Sequence, residues 1–92
     1  MIRSYRDRRT KSFAEGKTVR KFQGFKRQAE KWLEILDAAE SLGDLAALSS
    51  NRLEALIDDR QGQHSIAINR QWRICFLWHG DGAESVEIVD YH

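Results

Sequence analysis

The stretch His64-Ser65-Ile66-Ala67-Ile68-Asn69-Arg70-Gln71-Trp72-Arg73-Ile74-Cys75-Phe76-Leu77-Trp78 decides the fold. His64, Ile66 and Ile68 alternate with Ser65 and Ala67. After the turn Asn69-Arg70-Gln71, Trp72, Ile74, Phe76 and Trp78 alternate with Arg73, Cys75 and Leu77. A repeat of two belongs to strands, because successive side chains leave a pleated backbone on opposite sides. Four large apolar groups on one side of a strand demand cover. Arg73 is therefore expected on the opposite, open side of the sheet.

Working outward, Gly80-Asp81-Gly82 reads as a hairpin turn and residues 84–90 as the last strand, with Tyr91-His92 ending the chain. Upstream, residues 53–57 read as another strand and residues 58–62 as a turn. Before residue 52 the apolar period changes from 2 to 3.6. Phe25, Ala29, Trp32, Leu33 and Leu36 fall on one helical face, predicting a helix over about residues 24–40. Asp7 suits the N-cap of a basic helix over about residues 8–15, closed by Gly16. Residues 41–51 read as a loop with room for one helical turn, and residues 2–5 as a short strand. The expected order is β-α-α-β-β-β: an α+β domain whose two N-terminal helices pack on one face of a small, mainly antiparallel sheet.

Composition narrows the class. The chain has 92 residues, 41% apolar and 32% charged, with no proline and one cysteine. That length fits a single domain over residues 1–92. A lone Cys75 rules out an internal disulfide framework and suits a reducing, cytoplasmic setting. No apolar run approaches the roughly 20 residues that span a bilayer, so no membrane partner is expected. The opening MIRSYRDRRTKSF lacks the form of a secretory signal.

The formal net charge of +1 conceals a strong segregation. Residues 1–31 carry 11 Lys and Arg against three acids, a balance of +8; residues 32–92 carry four Arg against 11 acids, a balance of −7. Arg8, Arg9, Lys11, Lys26 and Arg27 are candidate contacts to backbone phosphates, with a solvated helical face as the plain alternative.

Glycine-rich phosphate loops and the nucleophile-elbow motif are absent, which excludes nucleotide-fold enzymes and α/β-hydrolases. Cys75, between Ile74 and Phe76, reads as a packed thiol. His64, His79 and Cys75 lack the spacing of a metal site, so neither metal nor other cofactor is expected. What remains is Arg73, whose planar fork suits a phosphate, or else a cross-strand acid such as Glu87. Asp90-Tyr91-His92 sets three ionisable groups side by side, although a terminal histidine is ordinarily frayed. Together such groups suit metal-free RNA cleavage. Arg73 and Arg60 would stabilise the charged phosphorane, and His92, Tyr91, Asp90 and Glu54 would supply proton transfers.

Asn51-Arg52-Leu53-Glu54-Ala55-Leu56, the run from Asp59-Arg60 through Gly62-Gln63, Ser65-Ile66 and Gln71-Trp72-Arg73-Ile74-Cys75-Phe76, and the end Val86-Glu87-Ile88-Val89-Asp90-Tyr91-His92 resemble the HigB toxins of the RelE/ParE superfamily. The resemblance implies a type II toxin that cuts mRNA on the ribosome and halts translation. Its implied partner is a HigA-like helix-turn-helix antitoxin, through which alone it would meet operator DNA. Arg73, Asp90, Tyr91 and His92 match family positions implicated in cleavage, and Arg60 matches the basic position of a Gly-Asp-Arg-x-Gly turn. Glu54 stands where some members have histidine, Ile57 where lysine is common, and Asp58 where the turn has glycine. These departures imply weaker attraction for phosphate. The same fold carries ParE-type toxins that poison DNA gyrase without a nuclease site, and a weakly active toxin that mainly binds its antitoxin is a further alternative.

Overall fold

Asp7 begins the first helix as expected: its carboxylate accepts a hydrogen bond from the Thr10 N–H at 2.9 Å, satisfying one of the donors that a helix start leaves open. The computed structural model describes residues 1–90, with the backbone alone at Asn51 and Asp58. It contains α1 (Arg8–Ala14), α2 (Lys26–Ala38) and α3 (Leu42–Ser49), followed by β1 (Leu53–Ala55), β2 (His64–Ala67), β3 (Trp72–His79) and β4 (Gly82–Asp90). Gly16 ends α1 with φ +92°, a backbone angle that costs glycine nothing.

Two helical boundaries differ from the sequence reading. A 3-10 segment over Arg20–Phe25 precedes α2, and Phe22 and Phe25 are both buried. With three residues per turn, that geometry sends side chains three apart to the same side. Residues 42–49 form a full helix rather than a loop. Ser41 caps it, its hydroxyl accepting from the Asp44 N–H at 3.0 Å, while Leu45 and Ser49 are buried. Small and polar residues with Gly43 suggested a loop, but a Ser-x-x-Asp start and an apolar anchor outweighed them.

The four strands pair antiparallel in chain order, β1-β2-β3-β4. Ile66, Ile74 and Ile88 form one cross-strand row against the helices. Phe76 and Val86 join this face with Phe22, Leu36 and Leu45 from the helical layer, all fully buried. Trp72 and Trp78 pack on the same core, as the alternation requires. Ala83 and Val86 both face inward although they are three residues apart. Strict alternation forbids this; a bulge around Ser85, at φ +52°, resets the register.

The expected first strand appears as two isolated parallel bridges, Ile2 to Ala83 and Tyr5 to Val86. The bulge explains the interruption. There the Ser85 N–H turns to the Ser4 hydroxyl at 2.9 Å instead of to a main-chain carbonyl. The result is an α+β fold with helices on one face of a mainly antiparallel sheet.

Candidate active site

The sheet's other face carries the chemistry. Register places Glu54 on β1, Ser65 on β2, Cys75 on β3 and Glu87 on β4 in one row across the sheet, since Glu54 pairs with Ser65, Ser65 with Cys75, and Cys75 with Glu87. Arg73 lies two residues along β3 from Cys75 and shares its face. One Arg73 Nη1 donates to the Ser65 hydroxyl at 2.9 Å and pairs with a Glu54 oxygen at 2.8 Å. Its side chain is 25% exposed, so the guanidinium is held at the surface rather than lost in the core.

The 3-10 turn Asp58–Arg60 brings a second guanidinium to the same face. Arg60 Nη1 donates to Gln63 at 3.1 Å and to Glu87 at 3.2 Å. Arg6, just ahead of α1, approaches the same Glu87 oxygen at 3.8 Å. Cys75 is buried beneath this group. Burial pushes its thiol above the ordinary range; Arg60, Arg73 and Arg6 pull it back and Glu87 reinforces the rise. Three arginines and one glutamate therefore act electrostatically on one buried point.

Arg73, Arg60 and Glu54 are thus brought together. The alternative partner for Arg73 was Glu87, but the structure gives Arg73 to Glu54 and commits Glu87 to Arg60 and Arg6. Asp90 pairs in the ladder with Trp72, on the opposite parity to Arg73, and accepts from the Gln71 amide at 2.9 Å. Tyr91 and His92 lie outside the described residues. The strand leading to them is anchored: Arg73 pairs with Val89, and the buried Ile88 N–H donates to Thr10. Arg8, Arg9, Lys11, Lys26 and Arg27 are all exposed on α1 and α2, in the helical layer.

Sequence reasoning missed Arg6, Ser65 and Gln63 as members of the cluster. Ser65 was visible only as the polar half of an alternation, and nothing local marks Arg6. No group of three residues suited to a metal occurs among the described residues, and no helix among them is long and apolar enough to cross a membrane.

A small helix-backed sheet bearing arginines and carboxylates on its bare face, with the carboxy-terminal strand beside them, is consistent with a RelE-like toxin. The chain belongs to the family of HigB toxins, the RelE-like toxins of type II toxin–antitoxin systems, which it matches over residues 3–92. It is also similar to Toxin HigB-1 of Vibrio cholerae serotype O1, with 42% identity over 60 residues. That match covers 65% of this chain and 62% of the relative, so it spans less than two thirds of the relative's length.

Proposed function

We propose that this toxin is a ribosome-dependent mRNA endonuclease that stops translation, acting in the cytoplasm and held in check by a HigA-like antitoxin. The observation that carries the reading is the gathering of Arg73 and Arg60 on the open face of the sheet, with β3, which carries Arg73, paired to β4. Contact with operator DNA would come only through the antitoxin.

The chemistry uses the substrate's own nucleophile. The 2′-hydroxyl oxygen bonds to the adjacent phosphorus as a base removes its proton. The P–O5′ bond then breaks and the departing 5′-oxygen takes a proton from an acid, leaving a cyclic phosphate. Arg73 and Arg60 offset the charge that accumulates on the phosphorane, where preorganised donors are most effective. Tyr91 and His92 are the proton-transfer groups, with no metal step, and Asp90 orients or charges the histidine. Arg8, Arg9, Lys11, Lys26 and Arg27 supply contacts to phosphates beyond the scissile one.

Primer extension on a translated message after induction tests the reading. New 5′ ends within codons are expected. Intact messages accompanied by cleaved or abnormally supercoiled DNA would point instead to gyrase poisoning.

A further inference from the structure

We propose that Glu54 is a built-in competitor for the phosphate site, its carboxylate holding Arg73 where an RNA phosphate must bind. The inference rests on the reading of Arg73 as a phosphate-binding group. The two acids of the open face differ in the way this role requires. Glu87 is only 17% exposed and bridges Arg60 and Arg6, so it is part of the framework that fixes those side chains. Glu54 is 59% exposed and reaches Arg73 from β1, a three-residue strand at the edge of the sheet.

A carboxylate oxygen at 2.8 Å offers Arg73 the same charge and the same acceptor as a phosphate oxygen. Exposed ion pairs of this kind are weak, so substrate can displace the carboxylate. Ser65, fully buried and bonded to the same Arg73 nitrogen at 2.9 Å, holds the guanidinium in place when Glu54 turns away. While Glu54 remains, its charge also repels the incoming phosphate. Position 54 therefore sets how tightly the site takes RNA, and Glu54 acts through Arg73 instead of carrying a proton.

The test measures binding of a short 2′-O-methyl RNA, whose blocked 2′-oxygen prevents cleavage, to the wild type and to Glu54→Gln, Glu54→Ala, Arg73→Ala and the Glu54→Gln/Arg73→Ala pair. Circular dichroism confirms folding of each. Glu54→Gln and Glu54→Ala are expected to tighten binding about three- to tenfold, and the gain should vanish in the Arg73→Ala background. Unchanged or weaker binding by Glu54→Gln, or a gain that persists without Arg73, overturns the proposal. So does a loss of message cleavage in Glu54→Gln of about a hundredfold or more without tighter binding, the mark of a proton-transfer group. Tighter binding with no message cut by any variant, wild type included, keeps the competitor and refutes the nuclease.

Discussion

The Thr10 hydroxyl accepts a hydrogen bond from the backbone N–H of Ile88 at 3.0 Å, joining α1 to β4 across 78 residues of chain. Both residues are buried, so this bond is what satisfies the Ile88 donor. Thr10→Val keeps the shape and removes the acceptor, leaving that N–H orphaned. It is expected to cost about 1–3 kcal/mol in urea denaturation, whereas Thr10→Ser should cost clearly less. Equal stability of Thr10→Val and the wild type would show that the strand end is held by other means.

Gly82 is a second point where the chain ends are fitted together. A methyl group there would lie 2.9 Å from the Met1 carbonyl oxygen and 2.5 Å from Arg3 Nε. The arginine can swing aside, but the carbonyl belongs to the segment bonded to Ala83, whose N–H donates to Met1 O at 2.8 Å. Gly82→Ala is expected to destabilise by about 1–3 kcal/mol. Amide exchange at Arg3 and Ala83 should accelerate more than at Ile74, and uniform acceleration would contradict this local account.

Burial raises the Cys75 thiol, and burial with help from Asp37 and Glu15 raises the Tyr5 phenol. For both groups the native state keeps a proton that the unfolded chain has already released. Stability is thus fully present below the unfolded value, about 8.5 for a thiol and about 10 for a phenol, and is lost as pH rises through the folded one. The urea midpoint should fall on passing above about pH 9. Cys75→Ala should flatten the earlier part of that fall, and an identical profile for this variant would exclude the thiol as a cause.

Purified toxin is expected to cut free RNA at least about a hundredfold more slowly than message on the ribosome. The described face gathers the guanidiniums of Arg73, Arg60 and Arg6, and a flexible strand relies on the ribosome to align it there for in-line attack. Comparable cleavage of naked and ribosome-bound RNA would contradict this dependence.

The sheet was legible because Ile66, Ile74 and Phe76 must all be covered from one side, which forces Arg73 to the other. The bulge at Ser85 was not, since its only trace is that Ala83 and Val86 are both small enough and apolar enough to face the core. Leu45 and the Ser41 cap of α3 were hidden among small polar residues. In the site, Arg73, Arg60 and Glu54 were readable as chemistry, but their pairing was not. Which arginine meets which glutamate depends on strand register and on a turn, and those are set by packing far along the chain. Arg6 illustrates the limit: it reaches Glu87 only because residues 2–5 lie along β4.

The most direct measurement is the rate at which Arg73→Ala cleaves a message in a purified translating system, with its urea midpoint taken alongside. The account predicts a rate loss of about a hundredfold or more at near wild-type stability, because the guanidinium acts on charge that develops in the transition state. Cleavage by Arg73→Ala at the wild-type rate would contradict it.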